Sequence, residues 1–274
     1  MLDKQFRFCG ISVRVRAEYE LTMKESLKKF EEAPGAEDCV LSVHFAEEIT
    51  DEGIKKNNSF YLRNVKSAGA QETPYAYVEH SGNRCDLTAL NMYRDGYDVA
   101  TALRNARLPH MLLNYDAVVL HASCVMYNGE AILFSAPSGT GKTTQAELWN
   151  KYRGAKIVNG DRVIVRRTEN GYTAGGIYYS GTSDYCENVT APLKAIVLLS
   201  QADKNTATVC GGAEALRRIF GECSYTAEFD NDPTIIAQFV ADMVNEVKVI
   251  KLDCLPDEAA VSALEEMLNG STIC

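Results

Sequence analysis

In residues 1–95 apolar positions recur at short, alternating spacing and predict strands. Phe6, Phe8, Ile11, Val13 and Val15 predict an early strand, and Cys39–Phe45 a second. Leu21 to Phe30 carries a short helical pattern, and Asp51 to Ser59 is a polar loop. Phe60–Leu62, Tyr75–Val78 and Arg84–Thr88 continue the strand pattern, with a hairpin turn at Ser81-Gly-Asn83. Asp98 to Tyr115 switches to helical spacing through Val99, Leu103, Ala106, Leu112 and Leu113, with Pro109 placed to kink or divide it. The apolar runs then lengthen. Val118–Ser123 reads as a strand, and Val125–Tyr127 and Ala131–Phe134 form a hairpin about Asn128-Gly129. A helix follows from about Lys142 through Trp149, then two strands flanking Asp161. Residues 166–192, rich in Gly, Tyr, Ser and Thr, read as loop and short strand. Leu193–Leu199 and Val247–Leu252 are buried strands, and helices are expected at Glu214–Phe220, from Pro233 through Val244, and over Pro256–Leu268.

The stretch between the hairpin and the helix carries the chemistry. Ala136-Pro-Ser-Gly-Thr-Gly-Lys-Thr143 has the spacing of a phosphate loop, with Ala where the usual pattern has its first Gly. Gly139 and Gly141 allow a sharp turn and close approach to a ligand. Loop N–H groups and a helix N-terminus together make an anion site. Ser138, Gly139, Thr140, Gly141, Lys142, Thr143 and Thr144 are therefore the expected nucleotide-binding residues. Lys142 reaches β/γ-phosphates and the Thr143 hydroxyl binds Mg²⁺. Asp161, about twenty residues on, either completes the metal shell or acts as a general base; Asn159-Gly-Asp161 is also good turn chemistry. A strand hairpin directly before the loop departs from the common βαβ nucleotide-binding arrangement.

Composition narrows the classes. A chain of 274 residues, 46% hydrophobic and 24% charged, has material for one large domain or two small ones. The net charge of −9 advertises no basic face for nucleic acid. No run approaches the ~18–20 apolar residues of a membrane span. The N-terminus has no signal-peptide core. The nine cysteines include no C-x-x-C pair, so a zinc site has no support and reduced thiols in a cytoplasm are expected. His44 and His80, in the strand-rich region, are expected to be structural or surface residues.

Leu120-His121-Ala-Ser, the Ala136–Thr143 loop and Asn159-Gly-Asp161-Arg-Val together resemble the kinase core of the HPr serine kinase/phosphorylase family, whose fold is that of phosphoenolpyruvate carboxykinase. In that family a Val-His-Gly element precedes a hairpin and phosphate loop, and Asp-Asp-Arg-Val follows; order and approximate spacing match over 118 to 200. Cys254 to Val261 is similar to a C-terminal segment of small bacterial members found beside PqqD-like partners. The resemblance implies an α/β fold with a mixed sheet. A strand-rich region (1–95), for substrate or partner binding, would precede a P-loop nucleotide-binding core (96–274). It implies an ATP- and Mg²⁺-dependent kinase acting on a hydroxyl, serine above all, of a peptide, protein or small molecule. Lys142 would clamp phosphates, Thr143 and Asp161 would hold Mg²⁺, and His121 would sit beside the phosphates, with Asp161, His121 and Lys142 as the catalytic set. Ser180, Ser183 and Asp184 are candidates to position the acceptor, and Arg162 to meet a phosphate. Two departures matter: the HPr-binding and hexamer-forming features of the family are not recognisable in residues 1–95, and the family's first Asp is Gly160 here. Gly160 favours the alternative, a catalytically weak nucleotide-binding partner protein of a peptide-modification or regulatory system. A decarboxylating carboxykinase would need further metal-ligating His and Lys residues before the loop, and they are absent.

Overall fold

The computed structural model describes residues 1–50, 58–63 and 73–270. It is a mixed α/β protein with two mixed sheets, the class expected from the sequence. Its contacts divide into two compact units, Met1–Asn114 with Tyr225–Asp232, and Tyr115–Ser224 with Pro233–Cys274. The division falls later than the 95/96 boundary drawn from sequence, because the helical stretch after residue 95 packs with the first unit. The polar loop expected over 51–59 lies mostly outside the described residues.

In the first unit β1 (Leu2–Phe8) and β2 (Ile11–Ala17) form a hairpin. The single early strand expected from Phe6 to Val15 is thus two. Cys9 and Gly10 both take positive φ, at 50° and 81°, which a two-residue hairpin turn requires. Phe8 pairs with Ile11 and Phe6 with Val13, so the apolar set keeps one face while its parity changes across the turn. The helix expected over Leu21–Phe30 shortens to one turn, α1 (Glu25–Lys28), followed by the two-residue β3 (Glu31–Glu32). Next come β4 (Cys39–Ala46), β5 (Ser59–Arg63), β6 (Pro74–Ser81) and β7 (Arg84–Leu90). The sheet order is β3-β1-β2-β4-β7-β6-β5, parallel at β2/β4 and β4/β7. Two helices close the unit, α2 (Val99–Asn105) and α3 (Leu108–Leu113). The Asp98 carboxylate caps α2 by accepting from Thr101 N at 2.6 Å. The break between them is Arg107, at φ 57°, with Pro109 in the first turn of α3.

The second unit begins with β8 (Ala117–Tyr127) and β9 (Glu130–Ser135), joined by Asn128-Gly129 with φ 51° and 81°. Then follow α4 (Lys142–Arg153), β10 (Lys156–Asn159), β11 (Arg162–Thr168), β12 (Gly171–Gly176) and β13 (Thr190–Gln201). The chain ends with β14 (Thr206–Val209), α5 (Gly212–Gly221), α6 (Asp232–Glu246), β15 (Lys248–Cys254) and α7 (Glu258–Asn269). The pairings close on themselves: β8 pairs β11 and β9, β11 pairs β12, and both β12 and β9 pair β13. β13 lies parallel to β9 and β15, so the strand feeding the glycine loop has an antiparallel neighbour on one edge and a parallel one on the other. Trp149 of α4 and Leu264 of α7 are fully buried with Phe134, Val197 and Leu252 in one core. That core anchors α4, and with it the end of the glycine loop. Among the described residues no helix is long and apolar enough to cross a membrane.

Candidate functional site

The site is built around the middle of β8. On one edge of this strand the pairing passes from β10 to β11, whose Arg162 lies opposite His121. On the other edge β9 ends at Ser135, opposite Ala122. The residues after α5 continue that edge: His121 N donates to Glu222 O at 2.9 Å and Ser224 N to Val119 O at 2.8 Å. Three chain segments therefore leave the sheet at the level of His121. Such handover points are where strand ends and loops turn toward a ligand.

The first segment is the glycine loop. Gly139 and Gly141 hold φ of 80° and 109°, conformations that a side chain disfavours. No side chain caps the N-terminus of α4, so its first-turn N–H groups remain available to an anion. The buried Ser123 hydroxyl donates to Lys142 O at 2.7 Å and ties the helix start to β8. The Lys142 ammonium folds back onto the loop, donating to Ala136 O at 2.8 Å and Pro137 O at 3.3 Å. Burial draws this ammonium below the ordinary lysine range, while Glu222 and Asp161 pull the other way. The Thr140 hydroxyl donates to Pro137 O at 2.9 Å. Ser138 and Thr144 are exposed on the loop and the first turn of α4.

The second segment is Asn159-Gly160-Asp161. Asn159 is fully buried, and its side-chain oxygen accepts from Asp161 N at 2.9 Å and Arg162 N at 3.0 Å. Its amide donates to Ile177 O at 3.0 Å and Tyr179 O at 3.1 Å. This Asx turn aims the Asp161 carboxylate, and Arg162 lies beside it at 3.6 Å. The Thr143 hydroxyl donates to Gly160 O at 3.0 Å, so the helix start and the Asp161 turn meet directly.

The third segment brings a carboxylate from 101 positions away in sequence. His121 lies between two acids, its Nδ1 2.7 Å from Glu222 Oε2 and its Nε2 3.1 Å from Asp161 Oδ1. A neutral ring with Nδ1–H on Glu222 presents Nε2 as an acceptor; only the protonated ring donates to both.

Two glycines make room here. A Cβ on Gly181, at φ 58°, would stand 2.8 Å from Asp161 Cγ. A Cβ on Gly160 would stand 2.1 Å from Ser183 Oγ and 2.7 Å from Ser183 Cβ. Ser183 thus fills the space from which a carboxylate at position 160 would project. The proposed acceptor-positioning residues divide accordingly. Ser180 and Ser183 are tied into one turn, with Ser183 Oγ donating to Ser180 O at 3.0 Å and Ser180 Oγ donating to Ser183 O. Asp184 stands exposed on the surface.

Thr143 and Asp161 are hard oxygen donors, and the Thr143 hydroxyl meets the carbonyl of Gly160, the residue before Asp161. Among the described residues no group of three or more His, Cys, Asp or Glu is arranged to hold a metal ion. The residues fit Mg²⁺, which keeps several waters and takes phosphate oxygens beside one or two protein ligands.

Two cavities flank the loop, both touching Thr140. The larger, about 590 Å³, is lined by Ala136 and Pro137 on the loop side and by Arg217, Glu222, Lys251 and Asp253 across from it. The smaller, about 400 Å³, is lined by Gly141, Thr144, Gln145, Gln201 and Cys254. Buried Gln145 donates to Cys254 Sγ at 3.3 Å.

No family model matches the chain. No curated protein matches it. Among solved structures the chain is similar to the HPr(Ser) kinase/phosphatase from Coxiella burnetii, at 13% identity over 56% of this chain and 93% of that one, with a TM-score of 0.31. A likeness at that level assigns no activity here.

The structure thus brings Lys142, Thr143, His121 and Asp161 into one constellation. The partner of His121 that the sequence did not reveal is Glu222. No motif surrounds it, but one physical signal does. It is the C-terminal cap of α5, where a negative charge opposes the helix dipole.

Proposed function

We propose that the protein is an ATP-dependent kinase that moves the γ-phosphoryl group to a hydroxyl. The observation that carries this reading is the Asp161–His121–Glu222 line beside Lys142 and the glycine loop. Phosphoryl transfer asks a protein mainly for positioning and charge stabilisation. The loop amides and the first turn of α4 hold the phosphates. Lys142, whose ammonium lies against Ala136 and Pro137, marks the γ end, so the nucleoside extends toward the smaller cavity at Thr144 and Gln145. Thr143 and Asp161 would hold a Mg²⁺, which would supply positive charge against the phosphates.

Asp161 accepts the proton of the attacking hydroxyl. His121 Nε2 shares that proton, and Glu222 on Nδ1 holds the ring in the tautomer that can do so. The order carboxylate–histidine–carboxylate supplies from a distant segment what Gly160 lacks. The direct test is γ-labelled ATP with Mg²⁺ and a set of hydroxyl acceptors, beside Lys142→Ala. Label on an acceptor that depends on Lys142 supports the kinase; ATP bound without any transfer contradicts it.

One observation favours a second reading, a nucleotide-binding protein with little catalysis. Ser183 occupies the place of a second carboxylate, so Asp161 must serve both metal and proton. Under that reading ATP binds through Lys142 and Glu222→Gln changes nothing measurable in turnover.

A further inference from the structure

The larger cavity says which hydroxyl. Resting on the kinase reading, we infer that the acceptor is a free hydroxy amino acid, bound as a zwitterion, rather than a serine within a chain. The cavity lies on the γ-phosphate side, because it is lined by Ala136 and Pro137, whose carbonyls hold the Lys142 ammonium. It also reaches Glu222, whose carboxylate lies 2.7 Å from His121 Nδ1. Its volume, about 590 Å³, is within the range of small-molecule sites.

Its charges are mixed, and they are only partly spent. Arg218 is engaged, donating to Leu199 O at 2.8 Å and lying 3.7 Å from Glu214. Glu222 is engaged by His121. Among the described residues no ion pair engages Arg217, Lys251 or Asp253. Lys251 and Asp253 alternate along β15 and share one face of it, while Ile250 and Leu252 bury the other. A wall with two unmatched cations and one unmatched carboxylate suits a ligand with a carboxylate and an ammonium group. The carboxylate meets Lys251 and Arg217, the ammonium meets Asp253, and the hydroxyl faces the phosphate and Asp161. A serine inside a peptide has neither charged group and would leave all three side chains unmatched as it displaced their water.

The transfer balances without another reactant. The γ-phosphorus loses its bond to the bridging oxygen, which departs with the electron pair as ADP. It gains a bond to the hydroxyl oxygen, whose proton goes to Asp161.

The test compares L-serine, N-acetyl-L-serine, L-serinamide and a serine peptide blocked at both ends, with MgATP and the full chain. Label on L-serine is expected, with kcat/KM lower by tenfold or more for each blocked form. Lys251→Ala and Asp253→Asn should raise the KM for L-serine about tenfold while leaving MgATP binding, read by titration calorimetry, within about threefold. If the blocked peptide is labelled as well as L-serine, the amino-acid inference fails while the kinase stands. If MgATP binds and no acceptor is labelled, or MgATP does not bind, both fail. If L-serine is labelled but neither substitution moves its KM, the amino acid binds elsewhere and the assignment of this cavity is overturned.

Discussion

Glu222 Oε2 lies 2.7 Å from His121 Nδ1, although 100 residues separate the two in the chain. The contact follows from backbone pairing: His121 N donates to Glu222 O at 2.9 Å, and that bond places the side chains together. Under the proposed function Glu222 is a positioning residue, acting on the proton through His121. Glu222→Gln keeps an acceptor for Nδ1 and removes the charge. Its kcat should fall about 10- to 100-fold, with the KM for ATP within about threefold and the thermal midpoint little changed. A KM effect alone would place Glu222 in binding.

A side chain at position 160 would collide with Ser183. A Cβ at this position meets Ser183 Oγ at 2.1 Å and Ser183 Cβ at 2.7 Å. Gly160→Ala and Gly160→Asp should each cost about 1–3 kcal/mol. Ser183→Ala leaves the Cβ contact and should relieve little, whereas Ser183→Gly should recover most of the loss in Gly160→Ala. Urea unfolding of the four proteins in that cycle measures the coupling.

The first unit should weaken in acid through His80. This ring is buried, stacked at 6.4 Å on Phe60, and in edge contact with His110 at 4.9 Å. Burial first, and the neighbouring His110 second, hold it well below the usual histidine value, at about 4, against the Ala106 carbonyl. The unfolded chain therefore binds this proton first. The contribution is intact above about pH 6.5 and is lost as pH falls toward about 4, by up to roughly 3 kcal/mol. Urea unfolding at pH 7 and pH 4.5 should show a smaller loss for His80→Phe than for the native protein. Equal losses would mean that His80 protonates freely when folded.

Much of the frame was legible. Asn128-Gly129 announced the hairpin, because both residues take positive φ, and the spacing from Ala136 to Thr143 announced the loop. Pro109 and the residues near it announced a divided helix. The Cys9-Gly10 turn was missed because its parity change resembles one strand read with partial alternation. β14 was missed because Thr206–Val209 is short and mostly exposed, with no apolar face to mark it. In the site, Lys142, Thr143, His121 and Asp161 stood out by motif, whereas Glu222, Lys251 and Asp253 did not. The latter three reach the loop through strand pairings between segments far apart in the chain, and local pattern carries no trace of such pairings.

The most direct measurement is single-turnover transfer from saturating MgATP, in native protein and Asp161→Asn, with ATP affinity measured in parallel. The account predicts a fall of about 10²- to 10⁴-fold in the transfer rate, with the Kd for ATP changed by less than about tenfold. Transfer at an undiminished rate in Asp161→Asn would contradict it.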